Sequence, residues 1–182
     1  MRFGRIKSVS QEKDDKWVVS VHDLSGDGQM REIEDQLPAP QDLGIDMAKV
    51  PAGEPLDVNL RLESVSEGVL VTGSVDADIE GTCSRCLKEI SWPQNFTVQE
   101  LVYYPSKDAE DDAFLVADDA INLEPIIREA IVLNLPFSPL CDDDCAGLCP
   151  RCGMDLNEFP DHVHEAPIDD RWSALKGLNL EN

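Results

Sequence analysis

The sequence predicts an α+β fold: an antiparallel β-sheet or partly open barrel, one helix packed on it, and a C-terminal loop stapled by chelating side chains. Three observations predict it. Apolar and polar residues alternate through long stretches between Leu56 and Tyr104, the signature of half-buried strands. The segment from Asn122 to Asn134 instead repeats its apolar residues at helical spacing. Finally, all six cysteines fall in short pairs, Cys83 with Cys86, Cys141 with Cys145 and Cys149 with Cys152, and His162-Val163-His164 follows the last of them.

In chain order, Lys16-Trp17-Val18-Val19-Ser20-Val21-His22 alternates weakly and predicts a first strand, with Asp23 to Gly28 a turn-rich segment behind it. Gln29 to Glu34 reads as a second strand, and Leu37-Pro38-Ala39-Pro40 and Val50 to Pro55 frame a loop region. From Leu56 the strand signal is strong: Leu56, Val58, Leu60, Leu62 and Val65 are assigned to one face, and Asp57, Asn59, Arg61 and Glu63 to the other. Ser66-Glu67-Gly68 is a turn, and Val69 to Glu80 returns with Val71, Gly73, Val75, Ala77 and Ile79 on one face. Leu87 to Tyr104 is a third long strand, so Cys83-Ser84-Arg85-Cys86 sits at the tip of an antiparallel hairpin. Pro105 to Asp112 is an acidic linker. Asn122 then caps a helix whose first turn holds Pro125, where a missing N–H costs little, and Ile126, Ile127, Ala130, Ile131 and Leu133 recur along it up to the break before Pro136. Glu124 and Glu129 are placed on its solvent side, and Asp169 to Leu178 reads as a short final helix. Residues 1–140 thus form a β-rich core domain with one helix, and residues 141–182 a Cys/His-rich segment packed on it.

The balance of charge restricts function. Thirty-seven acidic residues face fifteen basic ones, a formal net charge of -22. Nucleic-acid binding draws on Lys and Arg to displace counterions from phosphates, and the densest basic group here, Lys7 to Lys16, is diluted by Glu12, Asp14 and Asp15. Direct binding of RNA or DNA by the isolated chain is therefore not expected; an acidic surface instead attracts a basic protein, and the plainer reading is that acidity only keeps the chain soluble. No window reaches the ~20 apolar residues of a membrane span, and Met1 to Gln11 lacks the apolar core of a signal peptide. The expectation is a cytoplasmic protein with no membrane partner. In that reducing compartment, clustered cysteines point to metal rather than to disulfides.

The metal is expected to be zinc, one or two structural ions. Zinc takes four N or S ligands, and two cysteines separated by two residues grip it from one tight turn. Cys83, Cys86, Cys141, Cys145, Cys149, Cys152, His162 and His164 supply eight ligands, enough for two tetrahedral sites. One partition joins Cys83 and Cys86 to Cys141 and Cys145 across the fold and leaves Cys149, Cys152, His162 and His164 a local site. The other gathers Cys141, Cys145, Cys149 and Cys152 on one ion and leaves Cys83 and Cys86 as a free pair. Against these stand plainer readings: Cys83 and Cys86 as reduced thiols or a labile disulfide, His162 and His164 as surface residues beside Asp161 and Glu165, and Asp142-Asp143-Asp144 as a solvated turn. His22 is read as structural.

Arg61-Leu62-Glu63-Ser64-Val65, the Cys83-Ser84-Arg85-Cys86-Leu87 knuckle and the run from Ile131 to Cys152 together resemble the bacterial YceD family, the large ribosomal RNA subunit accumulation proteins. Ile168-Asp169-Asp170-Arg171-Trp172 resembles the short Asp-Pro-Arg signature of that family, with Asp170 in place of proline, and His162-Val163-His164 stands where many relatives carry Cys-x-Cys. The resemblance implies a cytoplasmic protein needed for normal accumulation of 23S ribosomal RNA, encoded near a small basic protein of the large subunit. It implies no enzymatic reaction and no particular set of metal ligands. The function expected is thus a non-catalytic factor supporting 23S rRNA accumulation and large-subunit assembly. It would act as an acidic, zinc-stabilised interaction module whose partner is a basic ribosomal protein or a large-subunit precursor. Alternatives are a thiol/zinc redox sensor and a zinc-dependent RNA-processing hydrolase. The hydrolase is disfavoured because thiolate-saturated zinc keeps no open position, and because no Ser-His-Asp set or Gly-rich phosphate loop is visible.

Overall fold

Alternation is what builds the sheet. A computed structural model describes residues 15–24, 26–105 and 113–164 of the chain. A single 3-10 turn, Asp15–Trp17, leads into β1 (Val18–Ser20), followed by β2 (Met30–Pro38), β3 (Leu43–Ile45), β4 (Ala48–Val50), β5 (Pro55–Val65), β6 (Gly68–Thr82), β7 (Glu89–Tyr103), β8 (Ala120–Asn122) and the helix α1 (Leu123–Asn134). The apolar phases of β5, β6 and β7 face inward together. Leu56, Leu60 and Leu62 are fully covered, as are Val69, Val71, Val75 and Ile79, and Phe96, Val98 and Val102 close the layer. Burying each such side chain is worth about 1.5–3 kcal/mol, so these three strands anchor the core.

The long strands lie antiparallel. β6 pairs with β7 along its whole length, from Gly68 opposite Tyr103 to Thr82 opposite Glu89. Its other edge is shared: β5 occupies it between Gly68 and Asp76, and the β3–β4 hairpin takes over where Ala48 meets Gly81. β2 extends the sheet beyond β5, and β1 and β8 form a separate two-stranded ribbon. The main sheet curls into a half-barrel, and Ile126, Ile127 and Ile131 of α1 pack into the core it encloses. Gly73 allows the close approach of β5: with φ +147, a Cβ there would lie 2.1 Å from the backbone oxygen of Asn59.

Several expectations are corrected. Val65 is on the opposite face from Leu62, because sheet alternation puts even positions of β5 inward; Ser64 is the buried residue, its hydroxyl 3.3 Å from that of Tyr104. The first strand is only Val18–Ser20, since Asp15–Trp17 winds into a turn, and His22 is exposed beyond it. β2 runs on through Pro38, so Leu37-Pro38 is strand rather than loop. The strands β3, β4 and β8 escape the sequence pattern, being too short to display a period. In α1, Asn122 does cap the helix, its side chain accepting from the Glu124 N–H at 3.0 Å. Leu133, however, is 71% exposed, and Glu124 is held by Arg128 at 2.7 Å. Met1 to Gln11, the Lys7 end of the basic group, residues 106–112 of the linker, Glu165, the Ile168–Trp172 signature and the Asp169–Leu178 helix lie outside the described residues.

Candidate metal centres

Two turns on this scaffold share one backbone design. In the β6–β7 turn, the Leu87 N–H donates to the Cys83 carbonyl at 2.9 Å, and the Cys83 N–H donates to the Lys88 carbonyl at 2.8 Å. In the C-terminal loop, the Gly153 N–H donates to the Cys149 carbonyl at 2.8 Å, and the Cys149 N–H to the Met154 carbonyl at 2.8 Å. The residue after the second cysteine is left-handed in both, Leu87 with φ 59 and Gly153 with φ 74. This winding turns the Sγ atoms of each pair to one side and aims backbone N–H groups at them. The Cys83 thiol pKa is accordingly lowered to about 6, first by the Cys86 backbone N–H and against the cost of burial, and that of Cys149 to about 6, first by the Arg151 backbone N–H.

The eight sequence-selected residues gather in two groups of four: Cys83, Cys86, Cys141 and Cys145, and separately Cys149, Cys152, His162 and His164. Within each group all candidate ligand atoms lie within 4.8 Å of one another. The cross-fold partition is therefore the one the fold assembles; Cys141 and Cys145 do not join Cys149 and Cys152. In the first group the Sγ atoms of Cys83 and Cys145 are 3.9 Å apart, and those of Cys86 and Cys141 3.5 Å. A tetrahedron with Zn–S bonds of about 2.3 Å has edges of about 3.8 Å, so the spacing fits that ion, and it is far too long for a disulfide bond. In the second group the Cys152 Sγ is 3.2 Å from His162 Nε2 and 3.3 Å from His164 Nε2, and the two imidazole nitrogens are 2.9 Å apart.

The first group also has the electrostatics of a cation site. Four thiols at this spacing cannot all ionise without a counter-charge. Cys141 is pushed up to about 12, first by Cys145 and then by Cys86; at Cys86 the Lys88 backbone N–H pulls the pKa down, but burial with the Cys83 and Cys145 thiols outweighs it and leaves the thiol raised. A bound dication reverses that repulsion and releases the protons. Burial differs between the groups. Cys83, Cys86 and Cys145 are covered, packed by Ile90, Leu140 and Leu148, and only Cys141 is exposed. In the second group Cys149 is covered, whereas Cys152 and His164 are exposed. Asp142 caps its own turn, its carboxylate accepting from the Asp144 N–H at 2.9 Å, and Asp142, Asp143 and Asp144 all face solvent.

A supporting shell does not stand out in the sequence. The Arg85 guanidinium, inside the first knuckle, donates to the carbonyls of Cys145 at 2.9 Å and Asp143 at 3.2 Å, tying the two halves of the first group together. Lys88 holds Asp155 at 2.8 Å, which raises the Lys88 pKa and lowers the Asp155 carboxyl to about 2. Gly147, with φ 76, brings the loop against Arg85; a Cβ there would meet the Arg85 carbonyl at 3.0 Å. The available signal was a cluster of turn formers, Asp155-Leu156-Asn157, between two ligand pairs.

The family model for the large ribosomal RNA subunit accumulation protein YceD matches residues 71–179. The chain belongs to the YceD family. All eight residues of the two clusters in this YceD chain fall inside the matched stretch. The chain is similar to the uncharacterized protein Rv2926c of Mycobacterium tuberculosis, 44% identical over 153 residues that cover 81% of this chain and 73% of the relative. It is also similar to the uncharacterized protein ML1660 of Mycobacterium leprae, 37% identical over 80% of this chain and 69% of the relative. Bacillus subtilis YlbN is 28% identical over 68% of this chain and 74% of its own length. No solved structure gives a significant match.

Proposed function

We propose that this YceD protein is a non-catalytic, cytoplasmic factor that supports accumulation of 23S rRNA and assembly of the large ribosomal subunit, with two structural zinc ions stapling its C-terminal loop to the sheet. The observation that carries the role is the family match, whose description names large ribosomal RNA subunit accumulation. Zinc is supported by the donor sets, four cysteines in one group and two cysteines with two histidines in the other, and by the knuckle geometry. Four protein ligands at each ion leave no position for substrate, so the metal holds the scaffold and does not act as a Lewis acid. The net charge of -22 supports contact through protein: a basic ribosomal protein or a basic partner on the precursor particle, without direct RNA or DNA binding by the isolated chain. Among the described residues no helix is long and apolar enough to cross a membrane.

Two measurements test the reading. Depleting the protein lowers 23S rRNA relative to the small-subunit rRNA, and the tagged chain co-sediments with large-subunit precursors; an unchanged ratio sinks the assembly role. Elemental analysis of protein purified reduced, without added metal, gives two zinc ions per chain; six freely titrating thiols and no metal overturn the structural-zinc part. Cys83→Ser removes a covered ligand and should release one ion and lower the melting temperature, since a structural zinc site contributes folding energy outright. A second reading, a thiol/zinc redox sensor, is favoured by the exposure of Cys152 and His164. Mild peroxide would then release zinc reversibly and alter rRNA levels.

A further inference from the structure

The residue Asn157 belongs to the second metal loop, between Cys152 and His162, yet its side chain reaches into the first group. Its Nδ2 donates to the Cys145 Sγ at 3.5 Å, and its Oδ1 accepts from the Ala146 N–H at 2.7 Å. The amide is fixed in that pose from its own loop: Nδ2 also donates to Asp155 Oδ1 at 2.7 Å, and the Asn157 N–H donates to the same oxygen at 2.9 Å. Asp155 is in turn held by Lys88, which follows the first knuckle. Backbone bonds complete the seam: the Leu148 N–H donates to the Arg85 carbonyl at 3.0 Å and the Leu156 N–H to the Gly147 carbonyl at 2.9 Å. One thiolate of the buried group therefore carries an N–H donor from the loop that the exposed group organises.

We propose that the two centres bind metal cooperatively and that Asn157 is the positioning residue that couples them. This inference rests on the zinc reading of both groups. When the second group is loaded, the stretch from Cys149 to His164 is closed on itself at both ends, and Asn157 is held where its N–H meets Cys145. That donor stabilises thiolate charge, and donors of this kind change metal affinity by about 10- to 100-fold when removed. Without metal in the second group the loop must be ordered each time the donor is used, so the first centre holds its ion less tightly. Coupling of this sort is reciprocal: filling the buried four-cysteine centre fixes Ala146 and Cys145, and so presents the anchor that orders the second loop. The predicted order of loss follows from exposure. The second centre empties first under chelation, and its loss loosens the first.

The test uses the full chain and Co²⁺ as probe, because Co²⁺ replaces Zn²⁺ and its thiolate charge-transfer and d–d bands distinguish an all-thiolate centre from one with two imidazole ligands. Competition with a chelator gives the affinity of the four-cysteine centre in the wild type, in Cys149→Ser/Cys152→Ser, in Asn157→Ala, and in the combined variant. The expected result is a fall of about tenfold in the affinity of that centre on disabling the second one, a similar fall for Asn157→Ala, and no further fall when the two are combined. Asn157→Asp keeps the acceptor for the Ala146 N–H and loses the donor to sulfur, so it should shift the charge-transfer band of the all-thiolate centre and lose affinity as well. A wild-type-like Asn157→Asp, or a four-cysteine centre whose affinity is indifferent to the second centre, overturns the proposal while leaving both metal sites standing. A wild type that takes up no Co²⁺ overturns the zinc reading and the coupling with it.

Discussion

Leu87 and Gly153 occupy the same place in the two knuckles, and they differ in what that place costs. A left-handed residue with a Cβ is disfavoured by roughly 1–2 kcal/mol, which Gly153 avoids at φ 74. Nothing lies within 4 Å of a Cβ built there, so Gly153→Ala isolates the backbone term. It should destabilise by about 1 kcal/mol, read as a lower denaturation midpoint; no change would mean that the turn relaxes. Asp155 offers a pH test at the same scale. Lys88 lowers its carboxyl to about 2, below the unfolded value of about 3.9. A depressed carboxylate contributes stability that is present above the unfolded pKa and is lost as the pH falls through the folded one. The stability difference between wild type and Lys88→Met should therefore be constant above about pH 4 and shrink towards about pH 2. Denaturation of metal-free protein, compared across that window, checks it.

At the scale of elements, strand length decided what was legible. The strands β5, β6 and β7 each span at least eleven residues, long enough for the period of two to reveal both the strand and its buried face. The helix α1 was equally legible, because Asn122, Pro125 and Pro136 mark its ends chemically. By contrast β1, β3, β4 and β8 hold three residues each, fewer than two full alternations, and their pairing with distant strands is what makes them strands. Val65 and Leu133 depart from the sequence pattern for a related reason: each is an apolar residue near the end of an element, on a face that the core does not reach. Gly73 carries the prediction here. Gly73→Ala sets a methyl against the Asn59 carbonyl and should part β5 from β6, lowering stability by roughly 2–4 kcal/mol in urea denaturation. A near-wild-type midpoint would show that the sheet can open there.

For the whole molecule, the proposed staple and the sheet have separable sources of stability. The sheet rests on covered Leu, Val, Ile and Phe side chains, whereas the loop from Cys141 to His164 contributes little apolar burial beyond its cysteines and the half-buried Leu148. Chelation should thus leave amide protection in β5, β6 and β7 unchanged and weaken it most between Cys141 and His164, as hydrogen exchange would record. Collapse of protection throughout would make metal a condition of the entire fold. The chain by itself determined the class of fold, its acidity, the candidate ligands and the helix ends, because alternation, charge, donor chemistry and capping are local properties of neighbouring residues. It left open which cysteines gather in one group, because spacing allows two partitions and says nothing of where the ends of a sheet meet a distant loop. Only the tertiary structure decided that: the β6–β7 turn faces the segment after α1, the Arg85 guanidinium and the Lys88 ammonium reach across to it, and Asn157 lands on the Cys145 sulfur. Contacts of that kind join residues far apart in sequence, and no local pattern encodes them.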